Sequence, residues 1–263
     1  SMWGHMRIAL AQMDIAWENF NVNIEKIKKF AKKGKDEGAS LILFPEMCLS
    51  GFTNNLIILD KDQDEIIGNI VDIAIENDIN IGLGFAIKIE SKGRNKFVFI
   101  SRRGKVLSDY TKIHPFTFSG EDKVYHKGNI INFCEIDGVK FSSFICYDLR
   151  FPEIFQVASK NAEVITVAAN WPKEREEHWI TLLKARAIEN QCYVLGINRV
   201  GVGNGLKYDG ASLFVSPNGK VLNEVSSKEE VIVRDINIDL IQVIRKSFDI
   251  KKDRREDLYI SFY

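Results

Sequence analysis

The chain has 263 residues, 45% hydrophobic, 27% charged and 11% aromatic, the make-up of an ordinary globular protein. Its 36 basic and 36 acidic side chains cancel to a formal net charge of +0, which argues against nucleic acid or an acidic membrane surface as the main partner. No apolar run approaches the roughly 18 residues of a membrane span, and no signal peptide is expected.

Ser1–His5, ahead of Met6, looks like an expression scar, and residues 6–263 read as one domain with a mixed C-terminal tail, since no linker or long charge block divides them. Arg7–Met13 is expected to be a strand. Asn21–Lys35 carries Ile24, Ile27, Phe30 and Ala31 at helical spacing, with lysines late, where the helix dipole favours cations. Leu41–Phe44 is wholly apolar, which suits a strand buried on both faces. Asp64–Glu76 reads as a helix and Ile79–Ile89 as a strand. Lys96–Ser101 and Lys105–Asp109 flank a turn at Arg102-Arg103-Gly104. Asn129–Ile136 and Val139–Ile145 flank Asp137-Gly138, a pair that favours a tight hairpin turn because both residues tolerate positive φ. Then follow a helix over Glu153–Lys160, a strand over Val164–Ala169, a helix over Glu174–Gln191 and a strand over Cys192–Asn198. Ala211–Val215 and Lys220–Val225 read as a hairpin, Glu230–Ile236 as the last strand and Leu240–Lys246 as a short helix. Gly104-Lys105-Val106-Leu107 is echoed by Gly219-Lys220-Val221-Leu222, which hairpin chemistry explains. In the tail, Leu258, Tyr259, Ile260 and Phe262 are expected to dock on a surface. Alternating helices and strands with hairpins imply an α/β sandwich of mixed sheets with helices on the outer faces.

Cys48, Cys134, Cys146 and Cys192 show no zinc-type spacing, and His5, His114, His126 and His178 form no cluster, so no metal is expected. No glycine-rich phosphate loop is visible. Reduced thiols and a cytoplasmic location are expected. Three strands, however, each run out into a reactive side chain. Leu41–Phe44 leads to Glu46, the strand at Val106 leads to Lys112, and Phe141–Ile145 leads to Cys146. Clefts form at strand ends in layered α/β folds. A carboxylate, an ammonium and a thiol gathered there are the parts of an acyl-transfer site. A free thiol is mostly protonated at neutral pH, so Glu46 would take its proton. Lys112 and the Tyr147 backbone N–H would meet the oxyanion that forms when sulfur attacks a carbonyl. Ammonia leaves, a thioester remains on Cys146, and Glu46 activates the water that releases the acid. No cofactor is needed.

Phe44-Pro45-Glu46, Asp109-Tyr110-Thr111-Lys112-Ile113-His114 and Cys146-Tyr147-Asp148-Leu149-Arg150-Phe151-Pro152-Glu153 together resemble the nitrilase, or carbon–nitrogen hydrolase, superfamily, over nearly the whole chain. The resemblance implies a four-layer αββα sandwich that usually dimerises, with the Glu46, Lys112 and Cys146 roles argued above. It also implies a second glutamate at Glu121, in Phe118-Ser119-Gly120-Glu121, that positions the lysine or the substrate. Asn170-Trp171-Pro172, Ala185–Val194, Asn198-Arg199-Val200-Gly201 and Asp253–Tyr259 resemble bacterial omega-amidases, which cleave the terminal amide of 2-oxoglutaramate and similar compounds. Pro115-Phe116 departs from the Leu-Phe of many relatives, in a loop that borders the pocket.

The expected substrate-binding residues are Tyr147, Arg150, Asn170 and Trp171. A dicarboxylate ω-amide carries a carboxylate, which a guanidinium can hold with two hydrogen bonds. Arg150 is placed for this, or else pairs internally with Asp148 or Glu153; Trp171 walls the pocket or packs in the core. Arg175 is a weaker candidate for the same carboxylate, since Glu174, Glu176 and Glu177 surround it on an expected solvated face. His178 is read as a surface or packing residue and His114 as a structural hydrogen-bonder near Lys112, while Cys48, Cys134 and Cys192 are read as buried small side chains. The expected partners are a small amide, water and a second copy of the chain. Other amidases of the superfamily, acting on N-carbamoyl amines, aliphatic amides or deaminated glutathione, and a non-catalytic binding protein on the same fold stand as alternatives.

Overall fold

The computed structural model describes residues 4–263. In chain order they form β1 (His5–Gln12), α1 (Phe20–Asp36), β2 (Leu41–Leu43), α2 (Gln63–Asn77), β3 (Asn80–Ile89), β4 (Lys92–Ile100), β5 (Val106–Thr111), α3 (Glu121–Val124), β6 (Cys134–Ile136), β7 (Val139–Ile145), α4 (Pro152–Ala158), β8 (Val164–Ala169), α5 (Glu176–Asn190), β9 (Tyr193–Asn198), β10 (Val200–Gly203), β11 (Leu206–Asp209), β12 (Leu213–Val215), β13 (Glu230–Asn237), α6 (Asp239–Ser247) and α7 (Glu256–Ser261). Of the supposed scar, residues 1–3 lie outside the described residues, whereas His5 pairs with Asn237 at the start of β1.

Two mixed sheets face each other. One runs β13-β1-β2-β3-β4-β5, the other β12-β9-β8-β7-β6. The strands joined through helices are parallel (β1–β2–β3 and β7–β8–β9), and the hairpin-joined ones are antiparallel. The period-2 alternation of a strand decides what fills each layer. Ile8, Leu10, Leu41 and Leu43 point between the sheets and join Phe97, Phe99, Phe141 and Ile165 in one core. Ala9, Ala11 and Ile42 point the other way and pack on Ile27 and Ala31 of α1 and on Ile70 and Ile73 of α2. Helices α4 and α5 cover the second sheet through Phe155, Trp179 and Leu183. The result is the four-layer αββα sandwich.

The strands Val139–Ile145 and Val164–Ala169 fall where the sequence puts them, and Asp137 and Gly138 both take positive φ (51° and 81°) in the turn between β6 and β7. Two expected strands shrink. Over Asn129–Ile136 only Cys134–Ile136 is a strand, because the Asn132 side chain and carbonyl bond out to Asp109 and Ser142 instead of a ladder. Over Lys220–Val225 only a single bridge, Val215 to Val221, survives. There the Asn223 side chain takes over, accepting from Phe214 N (2.8 Å) and donating to Ser212 O (3.0 Å). A hairpin absent from the sequence reading, β10–β11, stands apart from both sheets. The tail forms α7, but Tyr259, Ile260 and Phe262 stay exposed rather than docking on this chain. No described helix is long and apolar enough to cross a membrane.

Candidate active site

Glu46, Lys112, Cys146 and Asn170 all follow the ends of strands, from β2, β5, β7 and β8 respectively. Glu46 and Lys112 extend one sheet and Cys146 and Asn170 the other, so the site lies across the seam between them. Two glycines let backbone approach closely enough to seat the first pair. A Cβ on Gly84 of β3 would lie 2.5 Å from Pro45 O and 2.8 Å from Glu46 Cα. A Cβ on Gly128 would strike Thr111 O, just where the Gly128 N–H donates to Lys112 O (2.8 Å).

The Lys112 ammonium is buried between two buried carboxylates, 3.0 Å from Glu46 Oε2 and 2.8 Å from Glu121 Oε1. Burial pulls the ammonium pKa down, but Glu121 and Glu46 outweigh it and hold it well above the usual lysine value. Burial pushes the Glu46 carboxyl up, and Lys112 offsets this only in part while the Glu121 charge adds to it. Glu46 Oε1 accepts from the Asn170 N–H (2.9 Å), and the Asn170 carbonyl accepts from the Cys146 thiol (3.7 Å), so the backbone of one residue ties carboxylate to sulfur. Burial and then Glu46 push the Cys146 thiol well above its ordinary pKa, with Lys112 a partial counterweight. Cys146 is therefore held as a neutral thiol, which only a base would ionise near neutral pH. Cys146 sits at φ 45°, in the left-handed region that non-glycine residues rarely occupy. That kink ends β7 and opens the short turn Cys146–Arg150, whose first N–H groups, Tyr147's among them, have no partner within the turn.

Asp148 fixes this corner. Its buried carboxylate accepts from Tyr110 Oη, Ile145 N (3.0 Å) and His114 N (3.0 Å), and lies 2.7 Å from His114 Nδ1. His114 in turn stacks on Phe151 (4.0 Å between centroids). Asp148→Ala strands the buried Tyr110 hydroxyl and Ile145 N–H and the half-buried His114 N–H, and we expect a loss of about 3 kcal/mol in urea unfolding, whereas a substitution of the exposed Glu153 should change little.

The thiol and ammonium open onto a cleft of about 230 Å³ lined by Phe52, Phe116, Trp171, Leu206 and Tyr208 among others. A larger groove of about 900 Å³ between α4 and the tail is lined by Lys160, Lys251 and Arg254 and contains none of this chemistry. Tyr147, Arg150, Asn170 and Trp171 all line the cleft. Glu121 does not: it is fully buried behind Lys112 and also accepts from Phe116 N (2.6 Å), so it touches the lysine and not the cavity. Trp171 does both things expected of it, walling the cleft while packing 5.4 Å from Trp179. Arg150 makes neither expected ion pair; among the described residues no carboxylate lies within 4.0 Å of it. It lies over the Trp171 ring (4.7 Å) and contacts His178 Nδ1 (3.3 Å).

Arg175 departs from its expected solvated face. Helix α5 starts at Glu176, two residues later than its periodicity suggests, after a 3₁₀ turn over Lys173–Arg175. This turn carries Arg175 into the cleft, over Phe116 (5.7 Å). The β10–β11 hairpin, also missed, closes the far wall with Gly203, Asn204, Leu206 and Tyr208. Asn204-Gly205, with φ 49° and 80°, is the turn signal that would have found it. Its Tyr208 ring lies under the buried guanidinium of Arg199 (4.6 Å), which bonds Asp14 (3.1 Å). Cys48 and Cys192 are buried and Cys134 is half-buried; burial raises the pKa of all three thiols. Among the described residues no group of His, Cys, Asp or Glu is placed to hold a metal.

A sandwich of this kind with a thiol, an ammonium and a carboxylate at its seam defines a carbon–nitrogen hydrolase, and the chain belongs to that family, whose model matches residues 7–246. It is 32% identical over 256 residues to the 2-oxoglutaramate amidase of Bacillus subtilis (strain 168), covering 96% of this chain and 98% of the relative. It is 30% identical to omega-amidase YafV of Escherichia coli (strain K12), covering 95% and 97%. Among solved structures it resembles XC1258 of Xanthomonas campestris, which carries an arsenic adduct in its active site (TM-score 0.89, 28% identity, 95% of this chain and 97% of the other). It also resembles a variant of the amidase from Nesterenkonia sp. AN1 with an acetamide moiety on its active-site cysteine (TM-score 0.88, 25% identity, 100% and 98%).

Proposed function

We propose that this chain hydrolyses the terminal amide of a small ω-amide of an α-keto dicarboxylic acid, such as 2-oxoglutaramate, through a thioester on Cys146. The observation that carries the reading is the ammonium of Lys112, clamped between Glu46 and Glu121 at the floor of a cleft into which Cys146 also opens. Sulfur attacks the amide carbon as the thiol proton passes to Glu46. The oxyanion is met by Lys112 and the Tyr147 N–H, both charge-stabilising donors. Glu46 then gives its proton to the departing ammonia and takes one from the water that cleaves the thioester. Glu121 keeps Lys112 charged and aimed.

The substrate's far end is read from Arg150 and Arg175. Burial and the nearby Arg175 charge both pull the Arg150 guanidinium pKa down, and a substrate carboxylate would relieve that repulsion. Similarity to the Bacillus subtilis 2-oxoglutaramate amidase supports the same class. A second reading, a neutral aliphatic amide, draws support from the apolar walls Phe52, Phe116, Phe118 and Leu206 and from the likeness to the Nesterenkonia amidase. Ammonia release separates the two: kcat/KM for 2-oxoglutaramate should exceed that for propionamide by at least ~100-fold, and a preference for propionamide overturns the first reading. Residues 6–263 are proposed to act as one domain, as a homodimer in the cytoplasm. The exposed Ile260 and Phe262 of the tail and the four free thiols support those statements.

A further inference from the structure

Asn95 has no place in the chemistry just described, and no sequence pattern singles it out. It lies in β4, opposite Ala86 of β3, and is 1% exposed. Its side-chain nitrogen donates to Glu46 Oε2 (2.8 Å) and to Glu121 Oε2 (3.1 Å). With Lys112 bridging the same two carboxylates on the other side, the four side chains close a ring. The Asn95 backbone joins in as well, its carbonyl accepting from Lys112 N (2.8 Å). The orientation of the amide is dictated by its surroundings, since the opposite flip would set its oxygen against two carboxylates. That orientation leaves Asn95 Oδ1 buried with no partner. A buried unpaired acceptor costs free energy, and a small apolar side chain at this position would avoid the cost. What asparagine supplies in exchange is two N–H donors shared between two negative groups.

We propose that Asn95 is a positioning residue that holds the Glu46 and Glu121 carboxylates in place around Lys112, so that Glu46 faces the thiol as a ready base. The proposal rests on the Glu46–Lys112–Cys146 reading of the site. The ring contains two negative groups and one positive one, and Asn95 is its only neutral donor. The titratable groups that face Glu46 are Lys112 beyond β5, Glu121 on α3, Tyr125 after α3, Cys146 beyond β7 and Tyr208 on β11. Burial keeps both tyrosines protonated, Tyr125 well above and Tyr208 at about 12. Lys112 stays charged throughout. Burial raises the Glu46 carboxyl pKa, and the Asn95 N–H pulls it back down. Removing this donor must raise the Glu46 pKa. The base then ionises only at higher pH, and the acid limb of any reaction that uses it moves up.

The test follows the pH dependence of Cys146 alkylation by iodoacetamide, read by mass spectrometry, beside that of ammonia release from 2-oxoglutaramate. In Asn95→Leu the acid limb of both should move up by about one pH unit, a tenfold lower rate below the limb, with the high-pH rate kept within about threefold. In a Glu46→Gln background the same substitution should move nothing. A pH-independent loss in Asn95→Leu, or an equal shift in the Glu46→Gln background, overturns the proposal. Asn95→Ser, which is smaller and keeps one donor, should give a smaller shift in the same direction and serves if the leucine variant does not fold; an unshifted limb there also overturns it. If wild-type Cys146 reacts no faster than the other three thiols, the reading of the site itself falls, and this proposal with it.

Discussion

Cys146→Ala is expected to abolish ammonia release, a loss of at least ~10⁴-fold in kcat, while urea unfolding stays close to wild type. The thiol is half-buried, and alanine removes a single sulfur from a cleft wall, so the core between the sheets is not disturbed. No other described thiol can take over, because Cys48, Cys134 and Cys192 do not line the cleft. Mass spectrometry of wild-type enzyme quenched during turnover should show an acyl group on residue 146. Undiminished turnover by the alanine variant would refute the mechanism outright.

The second large effect is expected at Arg150. For 2-oxoglutaramate, Arg150→Ala should raise KM by about 100-fold with a much smaller change in kcat, because in the proposed binding mode the guanidinium would act on the far end of the substrate and not on the reacting carbon. KM for a neutral aliphatic amide should move less than about threefold. Arg150→Lys should fall between, since an ammonium cannot make two parallel hydrogen bonds to one carboxylate. Equal losses on charged and neutral amides would assign Arg150 a packing role on Trp171 instead, in keeping with their 4.7 Å contact.

Much of this arrangement was legible in the amino-acid order, for identifiable reasons. The parallel strands β7 and β8 are buried on both faces, so their apolar runs end sharply and give exact boundaries. Cys146 and Lys112 each come directly after a strand, and a reactive group at a strand end is visible without coordinates. Side chains that replace backbone pairing were not legible. Asn223 and Asn132 take hydrogen bonds that a ladder would otherwise make, which shortens or removes two expected strands. Arg175 gives a weak signal, because three neighbouring glutamates suggest a solvated face while the 3₁₀ turn before α5 carries it into the cleft. Asp148 was read only as a partner for Arg150, although its carboxylate serves Tyr110, Ile145 and His114. Asn95 gave no signal at all, being an uncharged residue within a strand whose importance depends on two acids distant in the chain.

The glutamate and the lysine are mounted on one sheet and the cysteine on the other. Neither half of the sandwich owns a working set of groups. Under the proposed mechanism, turnover acts as a gauge of how the halves are registered: a slide of an ångström between them would silence the enzyme while its helices and strands still looked native to a spectrometer.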